Sequence, residues 1–248
     1  MACQIVAGNA FNGYLTLGRE KDSPRVSNND NNGTLNRRDY YFIVPHPTGE
    51  ALTPWTPYRY PTVPHFSCWR ILHQQLPSLW EDIRESDPEE DRHIRCVLSD
   101  HADGVEDCHL VPKKEIQWFR LNSMNQYNKN KMASETIGQY NIARMRSDIH
   151  TIFDKGNFIL VPMCTGGLDS PVQLVSPFLN RTQNLCRQYH NCPIDNEVAR
   201  SPEFLFTRFA YALETEIING EDGTESETED DYGYPERGRE WTKNLLGA

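Results

Sequence analysis

The sequence predicts an α+β protein in which a central strand-and-helix core lies between an irregular, β-containing N-terminal part and a C-terminal helix. Three observations lead to this fold class. Short runs typical of strands recur near the start, strand and helix patterns alternate in the centre, and apolar residues take helical spacing near the end. Among the 248 residues, 38% are hydrophobic, which is enough to bury a sizeable core.

Changes in composition predict four segments along the chain. An acidic run from residue 85 to residue 91, which includes Pro88, indicates the first boundary. We expect the acidic end of the chain to be disordered, because it has too few apolar residues to fold. The predicted segments are the β-containing part at 1–90, the core at 91–165, a helical part at 166–220 and the acidic tail at 221–248.

The N-terminal segment contains runs typical of strands at 5–9, 13–17 and 40–44. Six prolines between residues 45 and 64 predict an extended stretch in place of a helix. Helical spacing then returns in four residues that we expect in the core, and Pro77 should kink or split that helix. These four residues are Trp69, Leu72, Leu76 and Trp80.

The core segment combines short strands with two helices. We expect Gly156 to end the second helix, since glycine is common just after helix ends. In chain order the patterns predict a strand at 93–98, a short strand carrying His109, a helix at 113–127, a helix at 144–154 and a strand at 157–161.

A further helix is predicted from Ser201 onwards. Serine is a good N-cap and Pro202 suits the first helical position. Four apolar residues, at spacings of four, share one face of this helix. They are Leu205, Phe209, Leu213 and Ile217.

The net charge of −10 argues against nucleic-acid binding for the chain as a whole, because phosphate contacts need lysine and arginine. The distribution of charge along the chain changes this conclusion. Residues 221–231 hold seven acids and no base, and without them the formal charge is −3. From residue 107 to residue 150 there are seven bases and four acids, a local charge of +3 that permits a phosphodiester substrate. A solvated charged surface would give the same pattern.

The sequence shows no apolar run near the ~20 residues of a membrane helix, and its start lacks the layout of a secretory signal. We therefore expect no membrane partner and an intracellular location, cytoplasmic or nuclear. The seven cysteines are odd in number and widely spread, which favours free thiols over a disulfide framework.

The residues that suggest chemistry follow one another in the core segment. Hydrolysis of a phosphodiester needs a base for water, a cation for the charge on the phosphate, and a group that orients the base. His109 is the candidate base, and Asn141 would hold its imidazole by a side-chain or backbone hydrogen bond. His150 and Asp154 are four apart on a predicted helix, so they face one point and are candidate metal ligands.

This segment resembles the HNH nuclease superfamily, and more narrowly the HNH domains of fungal proteins. The likeness rests on Cys-His-Leu-Val-Pro at 108–112, Trp118, Asn141, Arg-Ser-Asp-Ile-His-Thr-Ile-Phe-Asp at 146–154 and Phe-Ile-Leu-Val-Pro at 158–162. The resemblance implies a ββα-metal core and an endonuclease that uses a divalent metal, Zn or Mg/Mn, on nucleic acid. DNA is favoured over RNA. Four bases would contact phosphates: Lys113, Lys114, Arg144 and Arg146.

Cys108 departs from the family pattern, in which many members carry a metal-binding His or Asp immediately before the base. A thiolate binds zinc well and magnesium poorly. Three alternatives stay open. His150 and Asp154 hold the ion with waters, or Cys108 joins them and selects zinc, or the site binds no metal.

Two other functions also stay open from the sequence. The acidic chain and Cys108 favour an enzyme that uses the same pocket for acid-base chemistry on a small molecule, such as isomerisation or cyclisation. A non-catalytic interaction module would keep only the fold. A homodimer is compatible with each of these functions.

Overall fold

The computed structural model describes a large part of the chain. Contacts between Cα atoms divide the chain into two compact units, Met1–Trp69 with Ile217–Ala248, and Arg70–Glu216. None of the described helices is long and apolar enough to cross a bilayer. The described residues are 2–20, 23–26, 35, 39–45, 62–83, 95–132, 136, 138–164, 171–179, 184–194 and 201–220.

The first unit begins with a helix, α1 (Ala2–Val6), where the sequence predicts a strand at 5–9. That prediction is wrong, because a short apolar run does not distinguish a buried helical turn from a strand. Gly8 and Asn9 follow with φ of 66° and 64°, a left-handed backbone that ends helices.

The first unit also contains two short strands. Strand β1 (Tyr14–Thr16) pairs antiparallel with β2 (Tyr41–Ile43). Both lie inside the runs predicted at 13–17 and 40–44, so these predictions are confirmed. Of the proline-rich stretch, residues 46–61 lie outside the described residues.

In the second unit, helix α2 (Ser78–Glu81) starts directly after Pro77. The helix predicted from the spacing of Trp69 to Trp80 therefore forms only in its last turn, since proline supplies no amide hydrogen to continue a helix across it. The prediction that these residues are core is confirmed for Trp69, Leu76 and Trp80, which are all buried, whereas Leu72 is only half-buried.

The centre of this unit is an antiparallel hairpin of β3 (Val105–His109) and β4 (Ile142–Arg146), followed at once by helix α4 (Ser147–Asp154). The helix predicted from residue 144 begins three residues later. Within β4, Ala143 and Met145 are buried and Arg144 is exposed. This alternation is typical of a strand with one buried face.

The strand predicted at 93–98 does not form over residues 95–98, which are turn and coil. Residues 93 and 94 lie outside the described part. Val97 donates one backbone hydrogen bond to Arg144 (2.9 Å), so this stretch runs beside β4 without a continuous ladder.

Between β3 and β4 the single predicted helix at 113–127 is broken into three pieces. They are a 3-10 turn (Lys113–Glu115), helix α3 (Ile116–Leu121) and a second 3-10 turn (Met124–Tyr127). Ser123 separates the last two with a left-handed φ of 48°. A non-glycine residue in that region interrupts a right-handed helix.

A three-stranded antiparallel sheet follows α4 and Gly156, whose φ of 77° confirms the predicted helix end. The strand predicted at 157–161 starts only at Val161, the last residue of the predicted range. The sheet is ordered β5 (Val161–Cys164), β6 (Val172–Val175) and β7 (Pro193–Ile194), with α5 (Asn184–Tyr189) between the last two strands.

The last helix, α6 (Pro202–Gly220), starts where the sequence predicts. Residues 202–213 are all buried, so this part of α6 is covered on every side and not only on the predicted face. Phe204 stacks on Phe119 of α3, and Phe206 packs edge-on against Trp80.

The mixture of helices and antiparallel strands confirms the α+β class. The four-segment division stays a prediction, and 221–248 lie outside the described residues.

Candidate metal centre

Three side chains with metal-binding atoms converge where β3 meets α4. The Cys108 Sγ atom, a ring nitrogen of His150 and a carboxylate oxygen of Asp154 lie within 4.8 Å of one another. Cys108 is buried, His150 half-buried and Asp154 exposed. Within the described ranges this is the one such trio. It is buried at Cys108 and exposed at Asp154, so a substrate could reach a metal bound there.

Helix α4 positions two of the three side chains. His150 and Asp154 are four residues apart, and the His150 Nε2 atom lies 3.2 Å from Asp154 Oδ2. The helix holds this pair locally, because residues one turn apart lie on one face. The predicted pairing of the two side chains is therefore present in the structure.

Glu106 is a residue of this site that the sequence analysis missed. Its Oε2 atom lies 2.9 Å from Nδ1 of His150. A hydrogen on Nδ1 leaves Nε2 with its lone pair facing Asp154, which is the tautomer a metal ligand needs. A signal existed in the sequence: Glu106 and Cys108 are two apart on a strand and therefore point to the same side.

Cys108 is fully buried on β3, opposite Ala143 of β4. Burial strongly raises the pKa of its thiol, while the positive charge of Arg208 acts in the opposite direction. Without a bound cation this thiol is therefore protonated at neutral pH. A metal ion that displaced the proton would supply the positive charge that a buried thiolate needs.

The chemistry of the three donors fits zinc. Sulfur, imidazole nitrogen and carboxylate oxygen are all zinc ligands, whereas magnesium prefers oxygen alone. Ligands at zinc distances are roughly 3.3–3.8 Å apart in a tetrahedral site. The observed separations within 4.8 Å need only small side-chain movements to reach that arrangement.

His109 ends β3 and is half-buried. Its Nε2 atom is buried and has no hydrogen-bond partner among the described residues. Burial lowers the pKa of His109, and the positive charge of Lys113 lowers it further, against the opposing charges of Asp107 and Asp154. A neutral imidazole nitrogen without a partner is able to accept a proton.

Asn141 is fully buried and holds the chain that follows His109. Its Oδ1 accepts from the Val111 amide (2.8 Å), and its Nδ2 donates to the carbonyls of Val111 (3.1 Å) and Thr136 (2.8 Å). Its own carbonyl accepts from the Leu110 amide (2.9 Å). These contacts act on the backbone beside His109 and not on its ring.

The four bases expected to contact phosphates lie in different surroundings. Arg146 makes two hydrogen bonds to Asp148 (2.6 and 2.8 Å), and Arg144 lies 3.3 Å from Asp107. Lys113 is exposed and close enough to His109 to affect its pKa. The Nζ atom of Lys114 lies 5.4 Å from the centre of the Tyr211 ring.

Comparison with known proteins gives one result for this region. Residues 96–161 match a family model described as HNH endonuclease. The match contains β3, β4 and α4 with the trio, His109 and Asn141, and it leaves α6 outside. No curated protein and no solved structure matches the chain.

Proposed function

We propose that this protein, whose residues 96–161 form a domain of the HNH superfamily, is a metal-dependent nuclease that hydrolyses phosphodiester bonds. The observation that carries the proposal is the convergence of Cys108, His150 and Asp154 inside the matched segment. The hairpin and helix that hold them would then be a ββα-metal core.

Cys108, His150 and Asp154 would hold the ion. Glu106 would orient the His150 ring through its contact with Nδ1. A divalent cation in this place supplies a positive charge for the phosphate and the leaving oxygen. His109 would take a proton from the attacking water on its imidazole ring. The water oxygen then bonds to phosphorus as the bond to the leaving oxygen breaks, and Asn141 keeps the backbone beside His109 in place.

The substrate in this proposal is nucleic acid, with DNA favoured over RNA. Lys113 is the best placed of the four bases, because its charge already acts on His109. Arg144 and Arg146 would have to share their guanidinium groups between a phosphate and their present partners, Asp107 and Asp148. An intracellular location, a homodimer and the narrower likeness to fungal proteins stay predictions.

The test combines metal content with cleavage. Purified protein should hold one zinc per chain by elemental analysis and should nick plasmid DNA. His109→Ala should keep the metal and lose ~10²–10⁴-fold in rate, because only the base is removed. His150→Ala should lose both.

His101→Ala is the matched control, since His101 is exposed and is not a member of the trio. It should keep metal and rate. A protein that binds no divalent metal and cleaves neither DNA nor RNA would refute the proposal.

A second candidate is an enzyme acting on a small molecule by acid-base chemistry. The ion pairs of Arg144 and Arg146 favour it, because two of the four bases are already neutralised by carboxylates. In that case the protein would hold metal, fail to cleave nucleic acid and show no affinity for it at low salt.

A further inference from the structure

Arg208 is a buried arginine on helix α6 that contacts the last turn of helix α4. Its side chain is fully enclosed, with 1% of the residue exposed. The guanidinium carbon lies 3.8 Å from the centre of the Phe153 ring, and Nη2 donates to the Phe153 carbonyl. Phe153 immediately precedes Asp154, so the contact acts on the last turn of α4.

Stability alone does not explain this arginine. Burial of a guanidinium is unfavourable unless a partner compensates for it. The Nε and Nη1 atoms of Arg208 have no hydrogen-bond partner among the residues that the structure describes. An apolar residue of the same volume would avoid this cost, as replacement of buried ionic groups often does.

Arg208 is a positive group close to the charged side chains of the candidate metal centre. A divalent cation is neutralised by the Cys108 thiolate and the Asp154 carboxylate together. The Glu106 carboxylate, which contacts His150, is then one negative charge in excess. Arg208 is near enough to affect both Cys108 and Asp154 electrostatically, so its charge lowers the net negative charge of the donor set.

We propose that Arg208 is a positioning residue of the metal centre, which fixes the last turn of α4 through Phe153 and balances the charge of the loaded site. The inference rests on the metal centre of the proposed function. It adds to that centre a residue from α6, outside the segment that matches the family.

The test uses the full chain loaded with Co²⁺ in place of zinc, because cobalt absorbs visible light and reports its ligand geometry. Arg208→Met should weaken Co²⁺ binding by ~10–100-fold, as loss of outer-sphere partners typically does, and should shift the visible bands. Arg208→Lys should recover part of the affinity through its charge. It should keep the shifted bands, because an ammonium cannot reproduce the planar stacking on Phe153.

Phe209→Leu is the matched control for a merely structural effect. Phe209 is the next residue on α6 and is buried, but its ring packs near Trp80, at 5.8 Å between centroids. The control should lower Tm and leave the cobalt spectrum unchanged. Phe153→Leu removes the ring under the guanidinium and should shift the spectrum. This variant replaces Arg208→Met in the test if Arg208→Met does not fold.

The outcomes separate this inference from the proposed function. A wild-type cobalt spectrum and affinity in both Arg208→Met and Arg208→Lys would overturn the role of Arg208 and leave the metal centre intact. Equal spectral shifts in Phe209→Leu would also overturn it. Wild-type protein that binds no Co²⁺ would overturn the metal centre and Arg208 together.

Discussion

The Nδ1 atom of His150 lies 2.9 Å from Oε2 of Glu106, and this contact joins helix α4 to strand β3. It ties the imidazole of a proposed metal ligand to a carboxylate on the strand that also carries Cys108. A carboxylate behind a ligating histidine fixes the ring and raises its basicity.

We therefore expect Glu106→Gln to weaken zinc binding by about 10-fold, since the amide keeps a hydrogen-bond acceptor and loses the charge. Competition with a chromophoric chelator measures the affinity. Asp107→Asn is the matched control, because Asp107 is the next residue on β3, points to the other side and pairs with Arg144. Equal effects of the two variants would show a general loss of negative charge and no specific role for Glu106.

Cys108 should decide which metal the protein selects. Cys108→Asp replaces a soft sulfur by a hard oxygen, so we expect the preference to move from zinc towards magnesium or manganese. Protein dialysed against a mixture of the three ions, followed by elemental analysis, measures this preference.

Cys96→Ala serves as the control for loss of a buried thiol, because Cys96 is a buried free cysteine and is not a member of the trio. If Cys108→Asp left both metal content and preference unchanged, Cys108 would be an apolar core residue. His150 and Asp154 would then hold the ion with waters.

Asn141 should be a strong contributor to stability. Asn141→Ala leaves the amide and carbonyl of Val111 and the carbonyl of Thr136 without their present partners in a buried place. We expect the free energy of unfolding of the metal-free protein to fall by about 3 kcal/mol or more. Urea unfolding monitored by tryptophan fluorescence measures it.

Asn130→Ala should cost less than about 1 kcal/mol, because Asn130 is exposed and accepts one hydrogen bond from the Met132 amide. A similar small loss for Asn141→Ala would mean that the hydrogen bonds around Val111 do not fix the chain beside His109.

Salt dependence should distinguish nucleic acid from a small substrate. Each phosphate contact releases about 0.7–0.9 of a counterion, so Lys113→Ala should reduce the slope of log affinity against log salt by about that amount. Arg146→Ala should reduce it less, because Asp148 already neutralises this guanidinium. Fluorescence anisotropy with a labelled duplex measures both.

Removal of residues 221–248 should tighten this binding, since seven acids between 221 and 231 compete with the phosphates. Duplex and single strands that stay unbound at low salt, with and without these residues, would favour the small-molecule enzyme.

The sequence alone determined the features that depend on neighbouring residues. His150 and Asp154 face one point because a helix brings residues four apart together, and Gly156 ends that helix because it adopts a positive φ. The order His109, Asn141, His150 also indicated the resemblance that the family match at residues 96–161 confirms. Local spacing was sufficient for each of these conclusions.

Tertiary structure decided which strands form and what surrounds the ligands. Residues 142–146 became a strand and 95–98 did not, because a strand requires a partner in register and no local pattern specifies that partner. The contacts of Glu106 with His150 and of Arg208 with Phe153 join residues far apart in the chain. Only the packing of β3 and α6 against α4 creates them. The sequence therefore indicated the pair of candidate ligands on one helix, and the fold supplied the groups that contact that helix.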